Sequence, residues 1–485
     1  MSTNDLSTGT SRPGWAALLG GRSGVFSIVL AGGVMLHALN IYIVTTILPS
    51  VVDDLGGLDL YAWSTTLFVV ASILGAALAA RLLDRAGSGR AYALATVLFA
   101  AGTLICAAAQ AFPVLLAGRF VQGFGGGLLY ALAYAVIRLV YPEALWSRAI
   151  SLISVIWGVS TLVGPAVGGV FAEMNAWRAA FWSLVPVATV FGLVAMAVLP
   201  AKGGGESASS PLPLPQLALL AASVLAVSAG SVSADPVWNG LGMLAAVVLA
   251  ALLVRTELKS GARLLPTGGL AWGGKPMALC ATIGLLVMGM QTDVFVPYFL
   301  QILHGQSPLA AGYLAALMAM GWTLGSLQSA GRNGNAGLRA IASGPLFVLV
   351  GLAILAALVP FPGGAEWQIA AICAGLLLVG LGIGVAWPHL VTNVFREVPA
   401  AEQGLAAGSI TTVQLFATAF GAAAAGMVAN LGGLSDPGGA TGAADAALWL
   451  FVTFLAAPAS ALISSRRILV GRGSGKDALQ PASGV

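Results

Sequence analysis

Apolar runs of roughly 20 residues follow one another along almost the whole of this 485-residue chain. As a helix, a run of about that length crosses a hydrocarbon core of about 30 Å. Lipid offers backbone N–H and C=O groups no partner, so a spanning segment must satisfy them within a helix or a closed barrel. The runs lack the period-2 alternation of a membrane barrel, which leaves helices. The expected fold is all-α and integral to the membrane, with about 14 transmembrane helices. They cover residues 25–48, 61–82, 91–110, 113–138, 147–172, 179–199, 213–232, 236–254, 276–303, 308–330, 337–359, 366–390, 403–430 and 446–465.

Composition agrees with this reading. With 58% of residues apolar and 8% charged, there is too little polar surface to solvate water-soluble domains of this size. An even number of spans puts both termini on one side. If that side is cytoplasmic, 19 of the 21 Lys and Arg residues fall in cytoplasmic segments or at the cytoplasmic ends of spans, leaving Arg119 well inside a span and Arg178 on the far face. That is the positive-inside asymmetry of a membrane protein, here taken to be in a bacterial inner membrane. It accounts for the net charge of +4 as single residues in short loops and gives no nucleic-acid surface. Residues 1–24 lack the pattern of a removed signal peptide. Cys106, Cys280 and Cys373 lie inside spans without metal-ligand spacing and read as packing residues. No metal, cofactor or nucleotide-binding GxxxxGK[ST] loop is expected, and no cluster of catalytic side chains suggests an enzyme.

The sharpest change in composition is the Gly/Ser/Pro-rich stretch after residue 200. It divides the chain into a cytoplasmic tail (1–24), a six-helix bundle (25–199), a linker (200–212), two inserted helices (213–254), a cytoplasmic connection (255–275), a second six-helix bundle (276–465) and a cytoplasmic tail (466–485). A weak internal echo relates the halves: Gly-rich basic turns follow both the second and the tenth span.

Several local patterns carry more than hydrophobicity. The turn after the second span reads ARLLDRAGSGR, in which Gly87 allows a tight turn and Asp84, Arg85 and Arg90 can form ion pairs between bundle halves. The fourth span reads LAGRFVQGFG. Its Arg119 carries an insertion cost of about 2.5–3.5 kcal/mol and should face the bundle interior. The fifth span contains GVSTLVGPAVGG, which opens on Gly158; in it Pro165 removes a backbone donor, and Gly164, Gly168 and Gly169 are small enough to admit another helix. LNIYIVTTILP in the first span, Trp177-Arg178 before the sixth, and PYFLQ followed by SPLAAG in the second half complete the set.

Together these elements resemble the Major Facilitator Superfamily, and within it the fourteen-helix drug:proton antiporter branch (EmrB/QacA-like), over residues 25–465. The resemblance implies that Arg119 couples proton movement to the conformational cycle. It also implies that the loop of Asp84, Arg85, Gly87 and Arg90 gates the cytoplasmic side, and that Gly158, Gly164, Pro165, Gly168 and Gly169 form the helix element associated with antiporters. Asn40 stands where that branch usually carries Asp, and Asn can only hydrogen-bond.

Of the 17 acidic residues, Asp293 alone falls well inside an expected span. An intramembrane carboxylate is a site for a proton or a cationic substrate; the plainer reading is an Asp at a helix end close to Pro297. His37 is the alternative proton site. A midplane cavity would draw its lining from Asn40, Tyr42, Gln122, Trp157, Gln291, Tyr298, Gln301, Trp322, Trp387 and Gln414. The expected function is export of small, largely apolar molecules in exchange for protons, by a monomer whose partners are the substrate, protons and the lipid bilayer. A specific metabolite, sugar or siderophore as cargo, or a receptor without flux, are the alternatives.

Overall fold

The computed structural model describes residues 15–199, 212–233, 235–271, 273–332, 334–399 and 402–470. Most of the expected linker, residues 1–14 of the N-terminal tail and residues 471–485 of the C-terminal tail lie outside the described residues. Every regular element among the described residues is helical. The first group is α1 (Trp15–Leu19), α2 (Gly21–Leu55), α3 (Trp63–Ala86), α4 (Ser88–Ala107), α5 (Phe112–Val140), α6 (Glu143–Glu173) and α7 (Trp177–Val198). Then come α8 (Leu214–Gly230) and α9 (Pro236–Lys259). The second group is α10 (Lys275–Met290), α11 (Val296–His304), α12 (Pro308–Ser329), α13 (Asn335–Leu358), α14 (Glu366–Glu397), α15 (Gln403–Leu431), α16 (Gly439–Phe454) and α17 (Ala456–Val470). Among the described residues thirteen segments are long and apolar enough to span a membrane, and α8 is a shorter apolar helix beside them.

Two expected spans are interrupted, and proline supplies a reason in each. Pro297 has no N–H for the carbonyl of Asp293, and the chain between α10 and α11 tightens into a 3₁₀ turn over Gln291–Val294. Pro458 likewise has no N–H for the carbonyl of Phe454, where α16 gives way to α17.

The two groups repeat one packing scheme. Helix α5 packs on α3 and α4, and α14 packs on α12 and α13. Alternate glycines make both contacts close. A Cβ on Gly123 or Gly127 would strike backbone atoms of Phe68 or Ser72 in α3, and one on Gly125 would strike α4 at Phe99. In α14, Gly380 and Gly384 meet Met318 and Trp322 of α12 in the same manner, while Gly382 meets Gly344 of α13. With no hydrophobic driving force between helices in lipid, such close backbone approach is a main source of association. The fold is thus two pseudo-symmetric six-helix bundles with two inserted helices.

The inserted helices lie on one side only. Helix α8 packs against both α3 and α15, burying Val224 and Val227 with Phe68, Val69, Ala419 and Met427. The connection after α9 folds back beneath it. Glu257 accepts the backbone N–H groups of Leu264 and Leu265 at 2.6 and 2.7 Å, and Thr267 donates through both its N–H and its hydroxyl to Glu402, which precedes α15.

Candidate functional site

Call the end of the molecule that carries the α2–α3 connection distal, and the end near the chain termini proximal. At the distal end the two bundles share one apolar core, which joins Ile47, Val51 and Tyr61 to Phe295, Phe299 and Leu303. Tyr61 stacks on Phe295 at 4.9 Å and meets Tyr298 edge-on at 5.7 Å. Gly169 of α6 admits Leu309 of α12, and Gly426 of α15 admits Ala62. Asn430 donates to the carbonyls of Asp59 and Ser231, tying α15 to the α2–α3 connection and to the end of α8.

Toward the proximal end the bundles part, and the burial pattern records where. In α6, buried residues come in adjacent pairs at Ser160-Thr161, Gly164-Pro165 and Gly168-Gly169, but singly at Leu145, Ala149 and Ile153. In α12 the pairs Ala311-Gly312 and Ala315-Ala316 give way to Gly321, Gly325 and Ser329, with Gly321 and Gly325 packed on α14. A helix buried along one row per turn has a neighbour on one side only, so each helix keeps its own bundle and loses the other. The result is a cleft between the bundles, closed distally and open proximally.

Arg119 lies deep in the first bundle, 2% exposed. Its Nε donates to the Ser64 carbonyl at 3.2 Å, its Nη1 to Gln122 Oε1 at 2.7 Å, and its guanidinium rests 4.2 Å from the centre of the Phe68 ring. Gln122 passes the chain on, donating to Thr103 Oγ1 at 2.8 Å, and Thr103 donates to the Phe99 carbonyl at 2.7 Å. Among the described residues the ion pairs are Arg178–Asp54 and Lys275–Glu397, so Arg119 has no carboxylate partner. The charge is held by carbonyl oxygens and a π face, the arrangement open to a buried Arg without an acid.

His37 also stacks on Phe68, at 5.3 Å, and on Tyr130, at 5.3 Å, with Trp157 edge-on at 6.2 Å. It is 4% exposed, and its Nδ1 has no hydrogen-bond partner. One turn away, Asn40 is fully buried with neither amide atom paired. In the second bundle Trp322 and Trp387 face each other at 4.9 Å, and both are half-buried.

Asp293 occupies the 3₁₀ turn and is half-buried. Two residues on, Phe295 stacks on Tyr61 across the boundary between the bundles. Gln291 donates to its own helix at Val287 and packs its side chain on Gly421 of α15. Gln301 is half-buried with Nε2 unpaired, and Gln414 is half-buried on α15.

Several sequence expectations meet a different geometry. Tyr298 belongs to the distal seal, because the α10–α11 break turns it toward Tyr61. Gly164 and Gly168 admit α2 and Gly169 admits α12, but a Cβ on Gly158 would touch nothing within 4 Å. Asp84, Arg85 and Arg90 are exposed, and neither ion pair described includes them. They sit at the proximal end, where the bundles stand apart and offer nothing to bridge. Gly87 does make the turn, at φ 78°. Trp177 is an internal strut at the start of α7, 3% exposed and donating to Asp54 beside the Arg178–Asp54 pair.

Residues 30–422 match the Major Facilitator Superfamily. The chain belongs to that superfamily. It is 36% identical over 471 residues, covering 94% of this chain and 97% of the relative, to a probable multidrug-efflux transporter of Mycobacterium tuberculosis. It is 27% identical over 410 residues, covering 81% of this chain and 73% of the relative, to the tetracenomycin C resistance and export protein of Streptomyces glaucescens. Among solved structures, a D-xylose–proton symporter superposes with a TM-score of 0.63 at 14% identity, covering 93% of this chain and 98% of that one. A bacterial homologue of the lysosomal transporter Spinster gives 0.58 at 17%, covering 95% and 99%. This superfamily member is an integral membrane transporter and not an enzyme.

Sequence reasoning missed Phe68, which carries both Arg119 and His37, because a Phe in an apolar run has no signature. It also missed Gly380, Gly382 and Gly384, whose spacing repeats that of Gly123, Gly125 and Gly127 and was there to be found.

Proposed function

We propose that this transporter exports small, largely apolar molecules in exchange for protons, by alternating access, as a monomer of the fourteen-helix drug:proton antiporter branch. The reading puts it in a bacterial inner membrane with both termini and the open end of the cleft in the cytoplasm. The Lys and Arg distribution supports that orientation.

The observation that carries the proposal is Asp293, a carboxylate in a helix break two residues from Phe295, which stacks on Tyr61 across the boundary between the bundles. Uptake of a proton there neutralises a charge at the surface that must separate or close during the cycle, so the protonation state biases which end is open. Arg119 and His37 meet on Phe68 in the first bundle and supply the fixed charge and the second titratable group. Tyr130, Trp157, Trp322 and Trp387 offer aromatic walls to an apolar cargo. Asn40 replaces the usual carboxylate and favours uncharged cargo over cationic cargo. The 36% identity to a probable multidrug-efflux transporter over 94% of this chain supports the same direction of transport.

The test is the internal pH of proteoliposomes challenged with a chemically diverse panel, comparing wild type with Asp293→Asn. Compound-dependent proton movement that disappears in the variant is expected. Undiminished proton-coupled export by the variant overturns the role of Asp293, and substrate movement without any proton movement overturns antiport.

A further inference from the structure

The two seams where the bundles meet are not alike. On one, α3 and α15 are bridged along the outside by α8. Below the distal contact Leu217, Leu220, Leu253 and Leu264 continue to fill the space against Ile73 and Phe416. On the other, α6 meets α12, and among the described residues no helix on the lipid side packs on both.

The second seam opens part-way down. Gly158 lies eleven residues from Gly169, about 16.5 Å along α6 and only about 20° around it, so it occupies the stripe that meets α12. A Cβ there would touch nothing within 4 Å, and Leu162, on the same stripe, is 51% exposed. Facing it, Met320 lies eleven residues beyond Leu309 and is 37% exposed, and Leu327, a whole number of turns from Leu309, is 72% exposed. Trp157 and Trp322 lie at nearly one depth, about 18 and 19.5 Å from the Gly169–Leu309 contact. Neither α6 between Arg148 and Glu173 nor α12 between Pro308 and Arg332 carries a charged residue. The bridged seam has Glu257, Arg263 and Glu402 at its foot, joined through the connection of Leu264, Leu265 and Thr267.

We propose that the α6–α12 seam is the single lateral portal of this transporter, through which amphiphiles dissolved in the bilayer reach the cleft past Gly158, Met320, Trp157 and Trp322. This rests on the export reading and adds a route and a substrate class to it. The inserted helices plug the matching opening on the other side. The portal edges are apolar, so a molecule can pass from acyl chains to aromatic rings without shedding apolar contact, whereas a hydrated molecule must come through the proximal mouth.

The test uses two dansyl probes in proteoliposomes, one with a dodecyl and one with an ethyl chain, and the variants Gly158→Trp, Met320→Trp and, on the lipid face of α9, Val248→Trp. Both seam variants should lower the export rate of the dodecyl probe relative to the ethyl probe by about tenfold or more, and Val248→Trp should not. A ratio unchanged in both seam variants overturns the portal. A second arm photolabels wild type with a diazirine-bearing dodecylamine. Labelling of Trp157 and Trp322 that unlabelled dodecylamine competes away supports the portal, and labelling confined to the outer lipid faces overturns it. If wild type moves neither probe, the export reading fails while this arm still decides the portal.

Discussion

Arg119 lays its guanidinium on the ring of Phe68 at 4.2 Å and gives Nη1 to Gln122, with no carboxylate in its ion-pairing shell among the described residues. A buried charge held this way depends on each neutral partner. Gln122→Leu keeps the volume but removes the acceptor, leaving a buried charged donor short of one bond. A loss of about 1–3 kcal/mol is expected, read as a lower unfolding temperature of the purified protein, with Gln122→Glu less harmful than Gln122→Leu. Equal loss in both would show that the acceptor is not what matters.

The glycines of α14 separate contact from composition. Gly380→Leu drives a side chain into the Met318 backbone and should cost at least about 1–3 kcal/mol. Gly158→Ala meets open space and should be neutral or stabilising, by up to about 1 kcal/mol of helix propensity. Thermal unfolding of the two variants side by side checks the contrast.

Asn430 bonds to Asp59 and Ser231 in the distal seal. Asn430→Leu removes both bonds and should shift the protein toward a distally open state. Cysteines placed at Ser50 and Leu309 should then react faster with a water-soluble maleimide than in the parent background. Unchanged labelling would mean that the aromatic contacts of Tyr61 suffice to hold the end shut.

Glu402 is held below its ordinary value of 4.5, first by the Thr267 hydroxyl and then by the Thr267 N–H. A depressed carboxylate contributes stability above its ordinary value and loses it as pH falls through the lowered one. Wild type should therefore exceed Glu402→Gln in unfolding temperature at pH 7, and the gap should shrink on acidification below pH 4.5. A gap that does not change with pH would assign the effect to packing.

The sequence by itself determined the membrane, the helices and the family. Apolar runs of spanning length admit one kind of backbone in lipid, and Arg119, the turn at Gly87 and the GPxxGG stretch around Pro165 are local patterns that need no partner to be read. What it could not determine is which surface each residue meets. Tyr298 looked like a cavity residue until the break forced by Pro297 turned it to Tyr61. Gly158 reads in sequence as one more glycine of the same stretch, and only the fold shows that nothing stands within 4 Å of it. Phe68 looked like any apolar residue until Arg119 and His37 came to rest on it. Those outcomes depend on helix rotation and on the angle between the bundles, which are set by contacts between residues far apart in the chain. Only the tertiary structure decided that the distal end is sealed, and that one seam is filled by α8 while the other stands open.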